Sequence, residues 1–379
     1  YSTHRRFMNS SASNLLTPRT IVLIGLVALA VAMGIGRFAF TPLMPLMVRD
    51  GRLPIATGAE WAAANYVGYL MGALSATWFS RRPRLGLQLG LLGVAMTTLG
   101  MALTQWTGTW TGGWLRGLAG VCSAWVLVCA SSWCLPELAR RQSTASGGWI
   151  YTGVGLGIAL TGGLTWLGGN QSALWLWVEL GLLAIVGAGF VRYASPNDGE
   201  GPNAAPVLAN SAATPAPSSP RPNGSTWGLI CCYGAFGYGY IVPATFLPTM
   251  ARQLVDDPLV FGLTWPLFGL AAACSVAMAS RWMANWPRRQ VWALAQAVMA
   301  GGTLIPLVQQ SLGALALSAV LVGGTFMVAT MAGLQLARER MPHHPTPLLS
   351  QMTVAFAIGQ IAGPLLVRLL GMVDIETSR

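Results

Sequence analysis

Long apolar runs, interrupted by short stretches that hold proline, glycine and arginine, set the pattern of this 379-residue chain. A membrane-crossing helix needs about 18 or more consecutive apolar residues, and runs of that order recur from end to end. With Pro, Gly and Arg as punctuation, the pattern predicts spans at 20–48, 60–79, 85–105, 110–134, 146–168, 172–191, 227–250, 259–280, 290–309, 312–336 and 348–370. The expected fold class is an all-α polytopic membrane protein. Eleven spans leave the two ends on opposite sides, and the chain opens on Tyr1, so a twelfth span is expected to follow Arg379 in the native product.

Composition excludes the soluble alternative. Hydrophobic residues make up 54% of the chain, mean hydropathy is +0.55, and only 9% of residues are charged, against about 25% in an ordinary soluble domain. The first run is no cleavable signal peptide, being too long and holding Arg37 and two prolines.

The net charge of +11 would suit nucleic acid, but its distribution does not. All 22 basic residues are arginines, clustered between the apolar runs. With a cytoplasmic N-terminus, fifteen fall in inside segments, five outside, and Arg37 and Arg116 within spans. That asymmetry is the positive-inside pattern. The six cysteines lie in or beside spans without a CxxC spacing, and the histidines include only the adjacent pair His343 and His344. Neither a disulfide framework nor a metal site is expected.

Residues 194–226, "ASPNDGEGPNAAPVLANSAATPAPSSPRPNGST", hold seven prolines and almost no large apolar group. Such a stretch reads as a flexible cytoplasmic linker. It divides the chain into an N-terminal six-helix bundle, 1–193, and a C-terminal bundle, 227–379, with five spans visible. "MGIGRFAFTPLMP" at 33–45 is echoed by "FGYGYIVPATFLP" at 236–248. At an offset of 203, Gly34 meets Gly237, Gly36 meets Gly239, Pro45 meets Pro248 and Arg49 meets Arg252, but Arg37 meets Tyr240. Parallel pseudo-symmetric bundles are the arrangement of a rocking, alternating-access carrier.

"GIGRFAFTPLMPLM" followed by "EWAAANYVGYLMGAL" at 60–74 resembles the YbfB/YjiJ-like branch of the major facilitator superfamily over essentially the whole chain. The resemblance implies the twelve-helix superfamily fold and the movement of small solutes on a gradient, commonly of protons. The superfamily's G-x-x-x-D-R-x-G-R-R loop motif is met by Gly72, Arg81, Arg82 and Arg84, without the aspartate. Arg116 matches an arginine often found early in the fourth span.

Arg37 lies roughly sixteen residues into its span, about 24 Å of helix. Facing hydrocarbon there would cost at least about 2.5 kcal/mol, so it must face the bundle interior. It is expected either to bind an anionic substrate or hold a coupling carboxylate, or to satisfy carbonyls of a helix broken at Pro42 and Pro45. Pro243 and Pro248 predict the same break in the seventh span, and Gly34 and Gly36 suit flexing or close helix contact. Glu179 is the one acidic residue in the middle of a span. Because its ionised form is expensive there, it is the proton-coupling candidate, a buried packing donor being the alternative. Tyr240, Arg116, Gln335 and Gln360 are expected to orient a solute.

The chain is therefore read as a secondary active transporter, a monomer moving a small organic anion or zwitterion with protons across a bacterial inner membrane. No cofactor is expected, and with no lysine there is no Walker lysine for ATP-driven work. An enzyme would need clustered His, Asp or Glu, which "RERMPHHP" at 338–345 does not supply. A non-transporting receptor or assembly partner with the same fold is the alternative.

Overall fold

The computed structural model describes residues 16–79, 82–104, 109–195, 224–255, 262–283, 286–341 and 346–377. Most of the expected linker, Arg81, and the pair His343 and His344 lie outside the described residues. Eleven helical rods account for the rest. They are α1 (Pro18–Arg49), α2 (Ile55–Ser75), α3 (Pro83–Met101), α4 (Thr109–Arg140), α5 (Thr152–Leu167), α6 (Ala173–Ala194), α7 (Gly224–Leu254), α8 (Thr264–Trp282), α9 (Arg288–Val308), α10 (Leu312–Arg340) and α11 (Thr346–Thr377). Each overlaps the span expected from hydropathy. No strand occurs among the described residues.

Proline and hydroxyl chemistry starts the rods. Pro18 and Pro83 sit in the first turns of α1 and α3, where a missing N–H costs nothing. The Thr17 hydroxyl accepts from the Thr20 N–H at 3.2 Å, and the Ser311 hydroxyl from the Ala314 N–H at 3.2 Å.

Eight rods are long and apolar enough to cross a membrane. Between the halves, α2 packs against α11 and α8 against α5. The buried faces of α2 and α11 hold Asn65 and Gln360, polar residues that a lipid-facing position would disfavour. The outer helices show the reverse. On α3, Leu85, Leu89, Leu92 and Met96 form an exposed stripe at helical spacing.

Glycine lets rods touch backbone to backbone. A Cβ on Gly155 of α5 would lie 2.3 Å from the Ala273 nitrogen of α8. One on Gly269 of α8 would lie 2.2 Å from the Ala159 nitrogen of α5, and one on Gly162 would lie 2.6 Å from the Pro266 nitrogen. A single seam thus joins the halves along much of α5, as small-residue interfaces do in membranes. Gly34 makes the same kind of contact inside the first half, where its Cβ would fall 2.4 Å from the carbonyl carbon of Gly157.

Candidate functional site

The first rod is not one uniform helix. Pro18–Leu29 and Phe40–Arg49 are α-helical, and between them Ala30–Phe38 runs in the wider π form. Pro42 lies one turn further on and has no N–H for the carbonyls of Arg37 or Phe38. Neighbouring side chains bond to carbonyls of this irregular stretch. The Ser123 hydroxyl of α4 donates to the Ala32 carbonyl at 2.8 Å. Arg116 of α4 donates to the Gly36 carbonyl at 3.0 Å and to the Arg37 carbonyl at 2.7 Å. Asn65 of α2 in turn donates to the Arg116 carbonyl at 2.8 Å. The hydrogen-bond hub anticipated for Arg37 is therefore Arg116.

That arrangement leaves the Arg37 guanidinium for other work. It is 4% exposed, and among the described residues no carboxylate pairs with it. Its Nη2 donates to Gln360 Oε1 of α11 at 2.8 Å, and its Nε has no partner. The guanidinium carbon lies 3.8 Å from the Tyr69 ring centroid and 5.5 Å from that of Tyr66. Each such contact contributes on the order of 0.5–2 kcal/mol, which helps hold the charge away from water. Gln360 Nε2 then donates to the Tyr240 hydroxyl of α7. Tyr240 stacks on Phe326 of α10, with centroids 5.5 Å apart, and Phe326 meets Phe38 edge-on at 6.3 Å. Since Phe38 also lies 5.4 Å under the Arg37 guanidinium, the circuit closes on itself. Five side chains from α1, α7, α10 and α11 thus surround the middle of the molecule, drawn from both halves.

The asymmetry between Arg37 and Tyr240 acquires a geometric meaning here. The two matched positions lie on either side of Gln360, which accepts from one and donates to the other. Gln335 is half-buried on α10, and no hydrogen bond joins it to the circuit among the described residues. Glu179 departs most from expectation. It is exposed, in register with the exposed Trp175, Leu182, Val186 and Phe190 on the outward stripe of α6. The carboxylate is thus neither buried nor near the Arg37 circuit, and the position that hydropathy makes costly is on the outside of the bundle.

The prolines also divide. Pro42 and Pro45 follow the π segment in α1, whereas α7 continues as α-helix through Pro243 and Pro248. The shared broken-helix expectation thus holds a local departure from α geometry in α1 alone. Gly36 is needed for close approach, since a Cβ there would lie 2.5 Å from Ser123 Oγ.

A second set of contacts ties the halves at the end of α1. Arg252 of α7 donates to the Pro45 carbonyl at 2.7 Å, and Tyr66 shares a 3.0 Å hydrogen bond with Thr245. Arg49, the matched residue of the first half, instead donates to the Gly169 and Gln171 carbonyls and pairs with Asp50 at 2.8 Å. Arg252 is thus a latch and Arg49 an internal brace. Arg252→Ala is expected to open this end, raising thiol-reagent labelling of a cysteine introduced at Thr245 several-fold. Equal labelling with and without the arginine would show that the latch does not hold the end closed.

The loop-motif residues reach a different region. A Cβ on Gly72 would lie 2.4 Å from the Val121 carbonyl oxygen, so Gly72 sets the α2–α4 distance. Arg82 is exposed at the start of α3, and Arg84 lies over Trp133 of α4 at 5.2 Å. The nearby carboxylate at the end of α4 is Glu137, which is 8% exposed and paired with Arg140 and, at 2.5 Å, with Arg141. Sequence reading missed Glu137 because it sits at a span end rather than within one. It also missed Tyr66 and Tyr69, although their spacing of three puts both on one helix face. Phe326 carried no sequence signal beyond apolarity.

No curated protein sequence matches the chain significantly. Solved structures do match in shape. The crystal structure of the human organic anion transporter MFSD10 (TETRAN) has a TM-score of 0.66 at 16% identity, covering 93% of each chain. The nucleoside transporter NupG has a TM-score of 0.70 at 11% identity, covering 92% of this chain and 90% of its own. A D-xylose-proton symporter has a TM-score of 0.66 at 12% identity, covering 91% of this chain and 88% of its own. At these identities the likeness shows the major facilitator fold. Sequence carries the assignment further, because residues 29–374 match the family described as "Uncharacterised MFS-type transporter YbfB", and to that family of multi-pass membrane proteins this chain belongs.

Proposed function

We propose that the protein is a secondary active carrier that moves a small organic anion or zwitterion across a bacterial inner membrane by alternating access. In this reading the bundles 1–193 and 227–379 rock about the linker 194–226, with the N-terminus and linker cytoplasmic. The observation that carries it is the Arg37 guanidinium, buried, without a carboxylate partner among the described residues, and tied across the halves through Gln360 to Tyr240. An arginine so placed attracts an anion and offers it several N–H donors in a fixed fork. Arg116 adds a second buried positive charge beside the same peptide, which deepens the attraction. A solute bound between Arg37 and Gln360 would touch both halves at once, which is what alternating access needs. The organic anion transporter among the similar structures is consistent with this choice of cargo.

Proton drive belongs to the same proposal and is supported by the proton symporter among the structural neighbours. Glu179 stands apart from the Arg37 circuit, so Glu179→Gln is expected to leave solute binding unchanged. The test is proton flux into proteoliposomes carrying an internal pH dye while small carboxylates and amino acids are presented outside. Solute-dependent proton movement lost in Arg37→Ala supports the proposal. Loss in Glu179→Gln as well would put the coupling group on α6. Counterflow of solute without proton movement would overturn the proton drive and leave the anion carrier standing.

A further inference from the structure

We infer that the solute handled at this site is a monocarboxylate bearing an aromatic ring; the inference rests on the anion-carrier reading above and narrows it. The argument starts from what the circuit lacks. A dicarboxylate needs two free cations, but both terminal nitrogens of Arg116 are committed to the Gly36 and Arg37 carbonyls. An amino acid needs a carboxylate for its ammonium group. Among the described acids with placed side chains, Asp50 and Glu137 are held by other arginines, and Glu179 and Glu339 are exposed. Half-buried Glu60, itself engaged, stands six residues before Tyr66, about 9 Å of helix. A sugar needs a hydrogen-bonding group for nearly every hydroxyl. Beside Arg37 stand the Gln360 amide and the hydroxyls of Tyr240, Tyr69 and Tyr66, the Gln360 amide joined to Tyr240 and Tyr66 engaged with Thr245. One fixed positive charge remains, and what surrounds it is aromatic.

The rings are ordered rather than merely present. Tyr240 is stacked on Phe326 at 5.5 Å with planes 6° apart, and on Phe356 at 5.7 Å with planes 9° apart. Phe326 continues to Phe268 at 5.5 Å, and Phe268 stacks on Trp265 at 4.8 Å. Near-parallel, offset rings at these separations are a favoured aromatic geometry, and a ring lodged edge-on against them gains contacts of the same kind. Tyr240 itself has the two ends the solute would have. Its ring lies on the ladder, and its polar end is joined through Gln360 to Arg37. An aromatic acid satisfies both features together, with its carboxylate on Arg37 and its ring against the ladder.

The test uses the full chain, purified and folded by its thermal melt, and measures binding of matched acids by competition. Benzoate and phenylacetate are compared with cyclohexanecarboxylate and cyclohexylacetate, which have the same charge and nearly the same size. The aromatic acids are expected to bind at least tenfold tighter than their saturated partners. Phe326→Leu and Phe356→Leu should cut that ratio below about threefold, and Arg37→Gln should weaken every acid at least thirtyfold. Saturated acids binding as tightly as aromatic ones, or a ratio untouched by either leucine variant, overturns the inference and leaves the anion carrier intact. If no monocarboxylate binds the folded protein but a dicarboxylate or an amino acid does, the inference falls and the anion-carrier reading stands; if none of them binds, both fall.

Discussion

Arg37→Met is expected to lose solute binding by about a hundredfold or more while the protein melts within a few degrees of wild type. Removing one partner of a buried, hydrogen-bonded charge contact costs about 2–5 kcal/mol of binding, and a hundredfold loss corresponds to about 2.7 kcal/mol. Stability should respond far less. A lone buried cation contributes little net stability because its desolvation offsets its contacts, and methionine fills similar space with a flexible apolar chain. Arg37 gives up one hydrogen bond, to Gln360, together with its ring contacts. An isotherm and a melt on the same preparation check both halves of the expectation. A large drop in melting temperature would mean that Arg37 is a structural residue first.

Arg116→Met is expected to give the opposite pattern, with folding damaged first. This guanidinium donates to two carbonyls of α1 at 3.0 and 2.7 Å, in a buried setting where nothing else described takes its place. Hydrogen bonds to charged groups contribute about 1.5–3 kcal/mol each, so the loss should be about 3–6 kcal/mol. Arg116→Lys should recover only part of it, because one ammonium on a flexible stem cannot reproduce a planar fork onto two oxygens. Folded yield and thermal inactivation measure the effect. If Arg116→Met folded normally and lost only binding, the division of labour between the two arginines would be reversed.

That division shows what the sequence carried and what it did not. Hydropathy predicts all eleven rods, because lipid forces long apolar runs and the connecting turns admit Pro, Gly and Arg. Burial of Arg37 is legible for the same reason, since a permanent charge at that depth must turn inward. Depth along a rod can be read in this way, but the direction in which a residue points around the rod cannot when every face is apolar. Glu179 illustrates the failure. In "LWLWVELGLLAIVG" no polar stripe marks the inner face of α6, so a carboxylate judged by depth alone looks interior. Arg37 and Arg116 were ambiguous for a related reason. The π stretch of α1 decides which arginine meets the exposed carbonyls, and a change of hydrogen-bond register over nine residues leaves no composition signature.

The seam between α5 and α8 bears on leakage. A carrier that sits in an energised membrane must not become a wire for ions while its halves move. Where the Gly155 and Ala273 backbones touch, and again at Gly269 with Ala159 and Gly162 with Pro266, there is no width for a file of water. Residues 155–162 span about 10 Å of helix, roughly a third of the hydrocarbon thickness. Side-chain packing alone opens when rotamers change, whereas touching backbones must separate as whole helices. A path for ions along this contact would thus require α5 and α8 to part as whole helices, so the seam resists a leak there.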